Sequence, residues 1–241
     1  MRQWMLLAAL PLAACGAFAS DSDSGTKANP SGSGGTRSFD ASGFSSVDLR
    51  GADDVVVTVG PAFAVRAEGP AEELDRLDIR VDGGTLRVGR ELTSGWLSSH
   101  RGVKVHVSMP SIDGASVSGS GDMTIDRAQG ERFHGAVAGS GDLSIAALTT
   151  RQARLSVAGS GDVAAKGSVG SLKVSVAGSG AVDASALKAT SADVSIAGSG
   201  DVSADVDGPA KVSIAGSGDA NLGPRARCST SKVGSGSAHC G

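Results

Sequence analysis

Val137-Ala138-Gly139-Ser140-Gly141-Asp142-Leu143-Ser144-Ile145 is followed, 20 residues on, by Val157-Ala158-Gly159-Ser160-Gly161-Asp162-Val163-Ala164-Ala165. The motif recurs in both directions. Gly-Ser-Gly triplets begin at Gly119, Gly139, Gly159, Gly178, Gly198, Gly216 and Gly234, with spacings of 20, 20, 19, 20, 18 and 18 residues. A period in this range marks a solenoid or an array of small supersecondary units, and it decides the fold before any shorter motif is weighed.

Two residues before the triplets stand Val117, Val137, Val157, Val176, Ile196 and Ile214; four before stand Ala115, Gly135, Leu155, Val174, Val194 and Val212. Between these columns sit Ser116, Ala136, Ser156, Ser175, Ser195 and Ser213. Such period-2 alternation marks strands with one buried face, serine looking out and the aliphatics in. It resumes after the triplet, with Met123, Leu143, Val163, Val182 and Val202 in one inward column and Ile125, Ile145, Ala165, Ala184 and Ala204 in the next. A looser set, Leu148, Val169, Leu187 and Val206, suggests a variable third side.

Glycine corners let stacked backbones approach closely. If successive copies lie one rung apart, about 4.8 Å, the columns become ladders of like side chains. The expected fold is therefore all-β, a single-stranded parallel β-helix of about 20-residue rungs. A propeller blade needs about 40 residues and four strands per repeat, and helical repeats need a 3.6-residue period. The seventh copy carries Thr230 and Lys232 in place of aliphatics and reads as an end cap.

The 241 residues contain 36 glycines, no tyrosine and 3% aromatics, which suits a thin interior filled by Val, Ile, Leu and Ala. The net charge of −3 leaves no nucleic-acid footprint. Met1 to Ala14 combines Arg2 with the apolar run Trp4 to Leu12, too short to span a bilayer, as in a secretory signal (residues 1–14). Leu12-Ala13-Ala14-Cys15 resembles a bacterial lipobox, which implies cleavage to leave Cys15 as a lipidated, palmitate-type N-terminus. Gly16 is not the aspartate of an inner-membrane retention signal, so the outer membrane is expected, facing periplasm or cell surface. Residues 15–37, rich in Ser, Gly and Asp, are expected to be a flexible linker.

Residues 38–110 read as irregular first rungs and an N-terminal closure, residues 111–227 as the repeats and 228–241 as the C-terminal cap. Asp82-Gly83-Gly84 is a tight hairpin signal, and Pro70 to Leu77 looks like a turn or two of helix. Within Glu91 to Arg101, Trp96-Leu97 is either a contact loop or a plug folded back over the end of the helix.

Several of these features converge on a known family. Phe44-Ser45-Ser46-Val47, Asp54-Val55-Val56-Val57, Asp82-Gly83-Gly84-Thr85-Leu86, Val103-Lys104-Val105-His106-Val107-Ser108-Met109-Pro110 and the repeated Gly-Ser-Gly-Asp together resemble the head GIN domain, over about residues 38 to 235. Its members are labelled auto-transporter adhesins. The resemblance implies a right-handed parallel β-helix in a secreted or lipid-anchored bacterial protein, with no catalytic residues to carry over. An autotransporter needs a β-barrel signalled by many roughly ten-residue alternating strands, and the sequence to Gly241 shows none. A lipid on Cys15 would supply attachment instead.

Chemistry-bearing clusters are sparse. Asp122, Asp142, Asp162, Asp201 and Asp219 follow the triplets, as in calcium-binding β-rolls, but the period is about twice too long and Ala181 breaks the column. Hydrogen bonds to corner amides are the expected use of these carboxylates. With Cys15 given to lipid, Cys228 and Cys240 are expected to pair in an oxidising compartment. The histidines are scattered, Lys166, Lys173, Lys188 and Lys211 fall at different repeat positions, and no nucleophile elbow is present, so neither enzyme nor cofactor is expected. The reading is a non-enzymatic envelope binding module, with a polysaccharide-acting enzyme or a passive structural protein as alternatives. Trp96, Leu97, Ser156, Ser175, Ser195 and Ser213 are the candidate contacts to a glycan or envelope protein.

Overall fold

A computed structural model describes residues 25–91 and 102–241. The expected signal peptide, Cys15 and the Trp96-Leu97 loop lie outside the described residues. The chain is a parallel β-solenoid, and the columns read from sequence are its ladders. Val117, Val137, Val157, Val176, Ile196 and Ile214 pair in parallel register, rung upon rung, and all are buried. The columns after the corner behave alike: Met123, Leu143, Val163, Val182, Val202 and Ala220 stack inward.

Each corner is held by one carbonyl. The Gly119 oxygen accepts from the amides of Ser140 and Gly141 at 2.8 and 3.1 Å, and the Gly139 oxygen accepts from Ser160 and Gly161 in the same way. The two glycines of a triplet are needed for different reasons. Gly139 has φ +133°, and a Cβ there would lie 2.3 Å from the Gly119 oxygen. Gly141 has no such conformation, but a Cβ would lie 2.1 Å from the Gly121 oxygen. Real Cβ atoms do not approach an oxygen so closely, so any side chain forces the rungs apart.

Rung length varies while the corners keep register. The missing and extra residues fall at the turn beyond the second inward column, between Ile145 and Leu148, between Ala164 and Gly167, and between Ala184 and Lys188. Ala146, Ala147, Lys166, Ser185 and Ala186 in these intervals are exposed, while Ala165 and Leu187 stay buried, so the change in length is taken up by solvent-facing residues at little cost.

At the N-terminal end the stacking order departs from the chain order. Ser46–Gly51 and Asp54–Val59 form the rung directly against Gly114–Gly119 and Met123–Ile125. On its other side lie Thr85–Arg90 and Lys104–Met109, also parallel but later in the chain. The first rung in sequence is therefore sandwiched between later ones, and the irregular rungs at this end do not stack in chain order. Its corner, Gly51-Ala52-Asp53-Asp54, is a further copy of Gly-Ser-Gly-Asp: the Gly51 oxygen accepts from the amides of Ser120 and Gly121.

An antiparallel layer closes this end. Ala64–Glu68 pairs with Lys104–Met109, and Leu77–Asp82 pairs with Thr85–Arg90 through the expected hairpin, with φ +54° at Gly83 and +78° at Gly84. The expected helix is the single turn Ala71–Leu74. Thr36–Phe39 then lies on Ala64–Glu68, Pro30–Ser31 on Thr36–Phe39, and Thr26–Lys27 on Leu77–Asp82. The described part of the expected flexible linker is thus folded, which corrects that expectation. Its composition offers little to bury, but the open strand edge supplies backbone partners, and Ala28, only 3% exposed, donates its amide to the Ile79 oxygen at 2.8 Å.

The C-terminal end closes differently. Ala226–Val233 pairs with Gly208–Gly216, placing Thr230 and Lys232 beside Val212 and Ile214. Cys228 lies in register with Ala210, and its disulfide to Cys240, with Cα atoms 6.2 Å apart, joins two inward columns across the last rung. Cys228, Ala238 and Cys240 pack on the core as an end plug.

Candidate functional site

The outward columns before the corner build one long side of the solenoid. Ser156, Ser175, Ser195 and Ser213 stand in register on it, with Ser156 and Ser175 half-buried and Ser195 and Ser213 exposed. Beside them the exposed Ala138, Ala158, Ala177, Ala197 and Ala215 form a parallel ladder. The serine ladder is thus a weakly polar strip bordered by methyl groups.

On its other flank lies a column that sequence reasoning missed: His134, Arg154, Lys173, Asp193 and Lys211, each paired with the next. Lys173 and Lys211 therefore share one repeat position, which corrects their reading as unrelated. One more step outward, Arg132, Gln152 and Ser171 run parallel to it. Between the two columns the side chains of Phe133, Ala153 and Leu172 turn inward. The rung before His134 contributes only Asp113 and Gly114 at this level, so the surface steps down into a hollow of about 510 Å³ over these residues. Partial burial and the adjacent Arg154 charge hold the His134 pKa below its ordinary value.

The aspartate column is turned to structural use. Asp122 Oδ1 accepts the amide of Asp142 at 3.0 Å, Asp142 that of Asp162 at 2.9 Å, and Asp162 that of Ala181 at 2.7 Å. Asp201 serves Asp219, and Asp219 serves both the amide and the hydroxyl of Ser237. Among the described residues no group of three or more His, Cys, Asp and Glu side chains converges as a metal site would require.

A buried ion triad lies beside Val103. Arg90 Nε and Nη2 donate to the Asp53 carboxylate at 2.7 and 2.5 Å, Nη1 donates to Glu73, and Asp53 Oδ1 also accepts the Val103 amide at 3.2 Å. Asp53 is only 1% exposed, and its hydrogen bonds drive the Arg90 pKa further above the usual arginine range. Arg90 thereby ties the outer rung to the corner of its neighbour and to the helical turn.

With this architecture in view, a family model described as "Putative auto-transporter adhesin, head GIN domain" matches residues 43–223, most of the chain. The chain belongs to the head GIN domain family. This head GIN domain is similar in fold to solved bacterial proteins. A "putative adhesin" from Bacteroides fragilis NCTC 9343 has TM-score 0.80 and 22% identity, covering 85% of this chain and 95% of the other. A "putative lipid binding protein" from Parabacteroides distasonis ATCC 8503 has TM-score 0.69 and 24% identity, covering 88% and 97%. A "putative adhesin" from Parabacteroides merdae ATCC 43184 has TM-score 0.67 and 15% identity, covering 86% and 95%. No curated protein matches the chain significantly. At these identities the likeness concerns fold alone.

Proposed function

We propose that this head GIN domain protein is a non-enzymatic cell-envelope module that binds through the long side of its solenoid, held at the membrane by a lipid on Cys15. One observation carries the reading: outward columns repeat rung after rung, and one of them sets polar and cationic side chains in line along a face. Such a ladder presents a repeating surface to a repeating or extended partner, not a converged acid and base to one bond. Membership of an adhesin-labelled family supports a cell-envelope or surface role. Lipidation at Cys15, the outer membrane and a glycan or envelope-protein partner complete the proposal.

The test has two arms. Cys15→Ser should release the chain from the membrane fraction, and the full chain should retain envelope or surface glycans saturably without converting them. Release of new reducing ends from a retained polysaccharide would overturn the non-enzymatic reading, as would an absence of any retention for the binding reading.

A further inference from the structure

The arginines on the described surface divide sharply. Arg37, Arg50, Arg66, Arg80, Arg87, Arg90, Arg151 and Arg225 each have a carboxylate partner within the chain. Arg127 donates to the Val59 carbonyl. Among the described residues Arg132, Arg154 and Arg227 have no such partner, and all of them stand outward on the strands that precede the corner. Arg132 and Arg154 line the hollow, where Gln152 and Ser171 likewise make no side-chain hydrogen bond within the described structure. Lys173 completes the set, with its ammonium 3.5 Å from Asp193.

We propose that this hollow is a binding site for an acidic polysaccharide, laid along the solenoid axis with its carboxylate or sulfate groups on Arg132, Arg154 and Lys173. The proposal deepens, and rests on, the binding-module reading above. Charge is the first argument. A guanidinium presents a planar fork of donors that matches a carboxylate or sulfate in two bonds, and these two forks are not already engaged. Order is the second. A compact anion would require donors converging on one point, whereas Arg154 and Lys173 are neighbours at the rung spacing of about 4.8 Å and Arg132 stands one rung back in the adjacent outward column, so the cations are spread along the axis. That arrangement fits a linear polymer whose charged groups recur.

The neutral members of the grid identify the polymer further. Gln152 and Ser171 alternate with the cations, and the serine ladder runs alongside, supplying amide and hydroxyl groups suited to sugar hydroxyls. Aromatics make up only 3% of the chain, so the ring platforms on which the bases of a single-stranded nucleic acid would stack are not provided for. Asp113 at one end and Asp193 at the other bound the positive stretch to the rungs of Arg132, Arg154 and Lys173. Neutral polysaccharides lack the charge that these forks would engage.

The experiment titrates the full chain, purified in detergent, with polygalacturonate, with neutral dextran and with phosphatidylglycerol vesicles. The expected result is binding of polygalacturonate that weakens with salt, no binding of dextran, and a loss of about tenfold or more in affinity for the double variant Arg132→Gln/Arg154→Gln. Arg66→Gln, paired with Glu68 in the antiparallel end layer, should leave affinity unchanged, and circular dichroism melting should be the same for every variant. Equal polygalacturonate binding by wild type and the double variant overturns the site. The vesicle arm uses Cys15→Ser, since a lipid on Cys15 would itself enter vesicles; vesicle binding by Cys15→Ser that is lost when Arg132→Gln/Arg154→Gln is added overturns the choice of polysaccharide. If the chain retains other envelope glycans but not polygalacturonate, this inference fails and the module reading stands; if it retains nothing, both fail.

Discussion

Replacing Gly139 by alanine tests the corner architecture most sharply. The residue lies at φ +133°, and the new Cβ would sit 2.3 Å from the Gly119 oxygen, which is the acceptor for both Ser140 and Gly141. The conformational strain costs about 1–3 kcal/mol and the overpacking a similar amount, so the expected loss is about 2–6 kcal/mol. Gly141→Ala meets only the steric part, with a contact of 2.1 Å to the Gly121 oxygen, and should cost about 1–3 kcal/mol. Ser140→Ala, whose side chain is exposed, should stay within about 0.5 kcal/mol. Urea unfolding followed by circular dichroism gives the three values, and hydrogen exchange should show the protection lost around Gly119 and Gly139 before distant rungs. A Gly139→Ala protein as stable as wild type, or a Ser140→Ala protein as unstable as Gly139→Ala, would refute the reasoning.

Other consequences follow from single contacts. Arg90→Met strands the buried Asp53 carboxylate and should cost about 3–5 kcal/mol, partly recovered when Asp53→Asn is added; equal stability of wild type and the single variant would contradict the triad. Reduction of Cys228–Cys240, separated by 12 residues, should lower stability by about 3 kcal/mol, read as a shift in urea midpoint. Thr150 buries a hydroxyl without a partner among the described residues, in a column with Val169 and Ala189, so Thr150→Val should raise stability by about 1 kcal/mol. The Asp219 pKa lies below the ordinary aspartate value because the Ser237 hydroxyl and amide favour the carboxylate. A depressed folded pKa contributes stability above the ordinary value and loses it as pH falls through the folded one. NMR titration should find Asp219 rising toward 3.8 in Ser237→Ala, and an unchanged value would remove the assignment.

The inward columns were legible because Val, Ile, Leu and Ala recur at fixed distances from a glycine corner, and stacking makes equal sequence position equal spatial position. The disulfide was legible because Cys228 and Cys240 belong to the last copy. The copy at Gly51-Ala52-Asp53-Asp54 was hidden, since it lies 68 residues before its partner at Gly119 and has lost the second glycine. Its Asp53 joins the ion triad instead, a role visible only when Arg90 and Glu73 are brought beside it. The folding of Thr26 to Phe39 was hidden for a related reason: those residues gain backbone partners from an exposed edge, and composition does not record a neighbour. The basic column escaped notice because lysines alone were compared. Counting back five residues from each triplet, with arginine and histidine included, aligns His134, Arg154, Lys173 and Lys211.

The account stands on rungs stacked in register, and distances along one column measure that directly. Spin labels at Ser116 paired in turn with labels at Ser175, Ser195 and Ser213 probe rungs three, four and five steps away. The predicted backbone separations are about 14, 19 and 24 Å, rising by one rung spacing at each step. Distances from pulsed electron paramagnetic resonance that fail to rise in that order, or that are equal for all the pairs, would contradict the stack.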